Sequence, residues 1–195
     1  MARHPTQQIA CQQVLQEDNS VFSIQWTDLP AGLSLLSGQE LLQHYLHDIL
    51  QQTWGLVCPL VSDQGIAFAL AGRLPLLRFL PPEPVTNTEG EGLALRICGG
   101  WLVQPAQCER GELLLMTAPL PNGGQRITLR LADYCPLLLG SPHPSWLRRC
   151  LYRLTQAALH RLVTIRFLGR LYRQLAGPGA CIRTVPVAVR DGRRT

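Results

Sequence analysis

The chain has 195 residues, of which 46% are apolar and 16% are charged, and its formal net charge at pH 7 is +5. This length suits one domain that buries a core without metal or disulfide support, and the composition excludes an intrinsically disordered chain. No apolar window of 18 residues is free of charge, which argues against a membrane-spanning helix.

The seven cysteines form no C-x-x-C pair, so the pattern argues against a zinc ribbon. Several of them lie in apolar runs, such as the run around Cys98, where a free thiol packs as a small hydrophobic group. Because residues 1–19 do not read as a secretory leader, we expect a protein of the reducing cytoplasm.

Three regions follow from the distribution of polar residues along the chain. Residues 1–19 are polar and rich in glutamine, and we expect a loose tail or a short helix there. A single α+β domain is expected over residues 20–177, and it opens with an alternating strand at 21–26. Residues 178–195 are expected to form a basic tail, in which residues 182–189 offer one more strand.

The first confident helix begins near Ser37. Ser37 and Glu40 have the spacing of a capping box, in which each side chain satisfies a free backbone amide of the first turn. Apolar residues then recur at helical spacing, and Gly55 supplies a stop signal. The residues expected on the apolar side are Leu41, Leu42, Tyr45, Leu46, Ile49 and Trp54.

Short apolar runs follow this helix. Residues 56–62 and 66–72 flank a turn and predict a hairpin, and residues 74–80 predict an edge strand because a proline interrupts them. The proline- and glycine-rich residues 81–92 predict a long exposed loop. Residues 93–134 carry the clearest alternation and predict a three-stranded antiparallel meander.

Residues 145–176 contain no proline and predict one long terminal helix. Its apolar stripe is expected to pack on the sheet. The residues of this stripe are Leu147, Leu151, Leu154, Ala158, Leu162, Ile165 and Leu168. A smaller apolar patch of Leu159, Val163 and Phe167 is expected on the opposite side, among arginines.

Arg161 falls close to the apolar stripe, where a guanidinium is costly to bury without a partner. One interpretation is that it points into a cavity and binds a carboxylate or phosphate of a ligand. The alternatives are a core ion pair, with Asp133 or Glu112, or a side chain whose head reaches solvent.

The arginines of the C-terminal part have no acidic neighbours, since no acidic residue lies between Asp133 and Asp191. Such a block suits an anionic partner, which is a membrane surface, nucleic acid or an acidic protein surface. The alternative is a solvated helix face whose counter-charges come from the N-terminal half, where Glu17, Asp18, Asp28, Glu40 and Asp48 lie. The apolar patch among the arginines suits a second copy of the chain or a membrane, or is covered by more of this chain. Nucleic-acid binding is less expected, because no recognition-module motif accompanies the charge.

Catalytic patterns are weak in this sequence. His44, His47 and Asp48 share a helix face, but it is the polar side of the first helix, so we predict no metal site. No nucleophile elbow or phosphate-binding loop is present. We therefore predict no catalytic residue and no cofactor, and we lean towards a non-enzymatic protein.

The order of one strand, one helix, several antiparallel strands and a long terminal helix over residues 20–176 resembles the helix-grip architecture of lipid-transfer START domains and the birch-pollen-allergen superfamily. The fold class is therefore α+β, with a curved antiparallel sheet of about six or seven strands packed against a long C-terminal helix and one shorter N-terminal helix.

The resemblance implies an apolar tunnel between sheet and helix. We accordingly expect a binding protein for a small apolar or amphipathic ligand, such as a lipid. The candidate ligand-binding residues are Arg161, Leu154, Ala158, Leu162 and Ile165 on the helix, and Arg96 and Arg130 on the sheet. The alternative is dimerisation, or contact with an anionic membrane, through the basic helix.

Overall fold

The computed structural model describes residues 6–33, 35–88, 90–107, 109–140, 147, 158–191 and 193–194. Two helices are long enough in this part of the chain to pack on a sheet: α1 (Gly38–Gln52) and α2 (Ala158–Ala176). The strands are β1 (Thr6–Leu15), β2 (Val21–Leu29), β3 (Val57–Ser62), β4 (Gly65–Leu70), β5 (Leu74–Phe79), β6 (Glu83–Asn87), β7 (Gly90–Gly99), β8 (Glu112–Pro119), β9 (Gln125–Tyr134), β10 (Cys181–Pro186) and β11 (Arg193–Arg194).

The described strands join in one 11-stranded sheet, ordered β10-β1-β2-β9-β8-β7-β5-β4-β3. β6 pairs with the first half of β7, and β11 pairs with the end of β1. The expected α+β class is confirmed, but the sheet is larger than predicted and is mixed, because β10 runs parallel to β1. No helix among the described residues is long and apolar enough to cross a membrane.

The expectation of a loose tail or a short helix within residues 1–19 is wrong for Thr6–Leu15, which lies in the described part of the chain. Thr6–Leu15 is a strand that pairs with β2 on one side and β10 on the other. Its glutamines are used for hydrogen bonding: the Gln12 side chain accepts from the backbone N–H groups of Val189 and Arg190 at 2.7 and 2.9 Å. The folded region therefore extends on both sides of residues 20–177, and the strand expected near residues 182–189 is present as β10.

The exposed loop expected over residues 81–92 is also corrected. Glu83–Asn87 forms β6, which pairs with β7 from Glu83↔Ala94 to Asn87↔Gly90. Proline is tolerated here because β6 lies outside the main path of the sheet and needs partners on one side only. The predicted hairpin of β3 and β4 and the meander of β7, β8 and β9 are confirmed.

α1 begins as the sequence predicts. The Ser37 hydroxyl accepts from the Glu40 N–H at 3.3 Å, and the Glu40 carboxylate accepts from the Ser37 N–H at 2.8 Å. Leu41, Leu42 and Tyr45 are buried. Trp54, which was expected on this apolar side, lies beyond the helix end and is 95% exposed.

α2 packs on β1 and β2 and also against α1. Its buried residues are Thr164, Phe167, Leu168, Gly169, Leu171 and Tyr172. Phe167, expected on the outer side, is in the core with its ring centroid 5.2 Å from that of Tyr45. Contact with α1 therefore turns the buried side of α2 away from the predicted stripe.

The first half of the predicted terminal helix falls largely on residues that the structure does not describe. Of residues 145–157 only Leu147 is described, as helical and exposed. The described part of the helix, Ala158–Ala176, belongs to the same core cluster as α1. The prediction of one continuous helix is thus tested only over its second half.

Candidate functional site

The position of Gly169 identifies the face of the sheet that carries α2. A Cβ atom on Gly169 would lie 3.2 Å from Ile182 Cδ1 and 3.9 Å from Ile9 Cδ1, so helix and sheet approach closely here. Ile9 pairs with Thr27 across β1 and β2, and paired residues point to the same face. Thr27 therefore points towards α2.

Side chains alternate along a strand, so Ser23 and Gln25 also point towards α2. We call Ser23, Gln25 and Thr27 the buried polar row. All three residues are 0% exposed. The apolar residues that alternate with them, Phe22 and Ile24, lie in a separate cluster on the opposite face, with Val14.

Gln25 is the centre of this row. Its Nε2 donates to Ser23 Oγ at 2.7 Å and approaches Cys11 Sγ at 3.8 Å. Its Oε1 is buried, and no group among the described residues donates a hydrogen bond to it. A buried amide oxygen without a donor carries a desolvation cost of about 1–3 kcal/mol.

The first turns of α2 lie above the same part of the sheet. The helix ends at Ala176 and the chain then enters β10, whose Cys181 pairs with Thr6, so α2 runs antiparallel to β1. A helix advances about 1.5 Å per residue and a strand about 3.3 Å. Gly169 lies over Ile9, and each step back along α2 corresponds to a step forward along β1. Thr164 and His160 therefore lie above the later part of β1, which includes Cys11.

Two more polar atoms, both on the helices, lack a hydrogen bond to any described residue. They are His160 Nε2 on α2 and Gln52 Oε1 at the end of α1, and both are buried. The two helices meet here, because Gln52 Nε2 donates to the Val163 carbonyl at 3.1 Å. Burial lowers the pKa of His160 to about 4, so its imidazole is neutral at neutral pH.

The arrangement presents neutral donors and acceptors inside an apolar layer. Ile127, Leu129 and Leu131 of β9 pair with Thr27, Gln25 and Ser23 and therefore share their face. Such a surface provides hydrogen bonds to an uncharged polar group and apolar contact to the rest of a small molecule.

The predicted helix residues do not converge on this row. Arg161 and Ala158 are exposed, Leu162 is 44% exposed, and Ile165 is only partly buried. Arg161 lies in the first two turns of the described helix, on the side that faces solvent. Leu154 lies outside the described residues.

The predicted sheet residues point the other way. Arg96 pairs with Glu83 at 3.1 Å, and both side chains are about half exposed. Arg130 pairs with Ile24 across β9 and β2 and therefore lies on the face opposite α2. Neither arginine belongs to the buried polar row, so the proposed anion anchor is absent from it.

No cluster of metal-ligating side chains occurs within the described ranges. Asp48 is directed away from His44 and His47, because its carboxylate binds Arg170 Nη1 at 2.9 Å and Gln52 Nε2. Both histidines are exposed.

Sequence reasoning missed Ser23, Gln25, His160 and Thr164. The sequence predicts the alternation of side chains along β2 correctly. Alternation alone, however, assigns the apolar side of a strand to the core and the polar side to solvent. One signal was available: Val21 and Leu29 flank the buried polar row and lie on the same side of β2 as that row. Both are apolar, and both are buried in the main core.

Comparisons with known proteins give no relative: no family model, no curated protein and no solved structure matches this chain.

Proposed function

We propose that this protein binds a small amphipathic ligand between the sheet and α2, with the polar group of the ligand at the buried polar row. The observation that carries the proposal is the inverted strand β2, which turns Ser23 and Gln25 inwards and leaves Gln25 Oε1 without a donor among the described residues. Departures from the usual apolar-inward pattern concentrate at functional sites.

The chemistry of the row supports a neutral polar group on the ligand. Gln25 and Ser23 are uncharged, and burial keeps His160 neutral. Gln25 Oε1 is an acceptor without a donor among the described residues, so a hydroxyl or amide N–H of a ligand would satisfy it. We therefore replace the expected anion anchor at Arg161 with a hydroxyl- or amide-recognising row, and we propose a binding role rather than a catalytic one.

The element order supports the same proposal. β1 and β2 come first in the chain, and α1, the antiparallel strands β3 to β9 and α2 follow; from β2 onwards this is the order of the helix-grip architecture that the sequence resembles. β2 lies beside β9, so the buried polar row lies next to apolar side chains of β9 on the face of the sheet that α2 covers. A ligand with an apolar body and one polar end fits these surroundings.

Native mass spectrometry of the purified full chain tests the proposal. We expect a bound small molecule on the wild type and its loss from Gln25→Leu, together with an unfolding free energy that is unchanged or higher, because the variant removes an unpaired buried oxygen. Thr128→Val, on the opposite face of β9, is the matched control and should retain the ligand. A wild-type protein that carries no small molecule, or a Gln25→Leu variant that retains it, would count against the proposal.

A second candidate function rests on the outer side of α2. Leu159, Leu162 and Arg166 are exposed and share one side of the helix at spacings of three and four residues. This surface supports the alternative of a homodimer or of contact with an anionic membrane. Light scattering with Leu162→Glu tests the dimer: a wild-type dimer that becomes a monomer favours it, and a monomeric wild type contradicts it.

A further inference from the structure

Four separate loops meet at one end of the sheet. Residues 53–56 precede β3, and residues 71–74 join β4 to β5; the two are linked by a 2.7 Å hydrogen bond from the Ala71 N–H to the Leu56 carbonyl. The residues that follow β7 reach the same level, because the Trp101 N–H donates to the Pro75 carbonyl at 2.9 Å.

The fourth loop follows β9. The Leu137 N–H donates to the Leu102 carbonyl at 2.9 Å, which places the turn at Leu137–Leu139 beside the Trp101 loop. The end of α1 leads directly into the first loop. The first turns of α2 lie near the same end, because Val163 accepts from Gln52.

Each loop exposes a large apolar side chain at this end. We call the set the apolar rim; its members are Trp54, Leu56, Leu74, Trp101 and Leu137. Trp54 is 95% exposed, Trp101 60% and Leu56 59%. Because these side chains come from four different loops and remain apart from the core, their exposure is not a by-product of one poorly packed segment.

The charge of these loops has one sign. Residues 53–56, 71–74, 99–104 and 135–140 contain no acidic residue, and their one charged residue is Arg73. The adjoining first turns of α2 add the exposed Arg161 beside the exposed Leu159 and Leu162. Two acidic residues lie beside the fourth loop: Asp18 and Asp133 both act electrostatically on Cys135, and Asp18 is paired with Arg110 at 2.6 Å.

Trp54 is held outwards at a cost to the backbone. Its φ is 52°, in the left-handed region, which bulky residues seldom adopt. The left-handed residue closes α1 as a Schellman motif, in which the Trp54 N–H donates to the Gln51 carbonyl at 3.1 Å and the Gly55 N–H donates to the Leu50 carbonyl at 2.8 Å. This closure leaves Trp54 as the most exposed tryptophan of the described residues.

We propose that the apolar rim docks this protein on the surface of a phospholipid bilayer that contains anionic headgroups. Tryptophan is enriched at the interface between membrane and water, where the ring contacts acyl chains and the indole N–H remains hydrated. Exposed arginines such as Arg73 and Arg161 are attracted to anionic lipid. Several protruding loops suit insertion into a fluid interface, and the inference does not depend on ligand binding at the buried polar row.

Flotation of the full chain with phosphatidylcholine vesicles, with and without about 30% phosphatidylserine, tests this inference. We expect binding to the anionic vesicles that weakens as salt rises from about 0.1 M to about 0.5 M. The double variant Trp54→Ser/Trp101→Ser should lower the partition coefficient at least ~10-fold, because two interfacial anchors are lost. Arg73→Glu should reduce mainly the part of binding that depends on phosphatidylserine.

Leu35→Ser is the matched control, since Leu35 is 63% exposed but lies before the start of α1, away from the rim. It should bind like the wild type. Brominated lipid should quench wild-type tryptophan fluorescence more than that of the double variant. Two outcomes would overturn the inference: a wild type that does not float with either vesicle, or a double variant that floats like the wild type. A dimer that forms through the rim without vesicle binding would replace the bilayer with a second copy of the chain.

Discussion

The Asp48 carboxylate on α1 lies 2.9 Å from Arg170 Nη1 on α2, and it is the buried partner of the pair. The Asp48 carboxylate also accepts from Gln52 Nε2, which in turn donates to Val163 of α2. The two helices are thereby fixed relative to each other directly above the sheet, and this relation sets which side of α2 faces the buried polar row.

Removal of this link should destabilise the fold. We expect Asp48→Ala to lower the free energy of unfolding by about 2–3 kcal/mol, because it leaves Arg170 without its acceptor and leaves Gln52 Nε2 with the Val163 carbonyl alone. The exposed pair Arg96–Glu83 is the control: Glu83→Ala should cost less than about 1 kcal/mol, since exposed ion pairs contribute little. Urea denaturation measures both, and equal losses in the two variants would contradict a structural role for Asp48.

The buried His160 should make stability depend on pH. Its pKa is lowered from 6.5 to about 4 by burial, so between these values the unfolded chain binds more protons than the folded one. Stability from this group is complete above pH 6.5 and is lost as the pH falls towards 4, by up to about 3 kcal/mol. His160→Gln should flatten that part of the urea-denaturation profile; a variant whose profile runs parallel to that of the wild type would refute the assignment.

Replacing Trp54 with glycine should raise the free energy of unfolding. The left-handed φ of 52° costs a non-glycine residue about 1 kcal/mol, and a side chain that is 95% exposed loses no burial. Trp101→Gly is the control, because Trp101 is exposed without a positive φ and should gain nothing. Thermal unfolding compares them, and vesicle binding should fall in the Trp54 variant even as stability rises.

The outer edge of β3 is protected against pairing with another strand. The Leu56 carbonyl accepts from the Ala71 N–H, so the backbone groups of Leu56 point towards the β4 side. Backbone groups alternate between the two sides of a strand, so those of Val57, Pro59 and Val61 point outwards. Pro59 has no N–H, and Thr53 Oγ1 binds both the N–H and the carbonyl of Val57 at 3.1 and 3.3 Å.

Restoring a donor at this edge should promote association. We expect Pro59→Val to form oligomers as its concentration rises, because a free N–H is added between exposed apolar residues. Size-exclusion chromatography with light scattering provides the measurement. Leu60→Val, a substitution on the same strand that adds no donor, should elute like the wild type; a Pro59→Val variant that also does so would show that the proline is not protective.

Local signals in the sequence predicted the elements whose stability is itself local. The capping box of Ser37 and Glu40 marks the start of α1, and the alternating residues of the meander mark β7, β8 and β9. β1 and β6 were missed because their polarity and prolines resemble loops. They are strands only because β2, β10 and β7 supply hydrogen-bond partners.

The candidate sites were hidden for a related reason. Burial at Ser23 and Gln25 depends on α2 covering that face of β2, and the exposure of Arg161 depends on where the core ends beneath the helix. Helical periodicity gave the correct neighbours of each residue in α2. It did not give the rotation of the helix, which its contact with α1 decides.

By itself, the sequence determined the α+β class, the capped first helix, the hairpins and the basic character of the C-terminal half, because each depends on residues close together in the chain. Only the tertiary structure decided that polar side chains of β2 face inwards and that Trp54 and Trp101 reach the same end of the sheet. These relations join residues far apart in the chain, and the packing of α2 and the register of the strands bring them together.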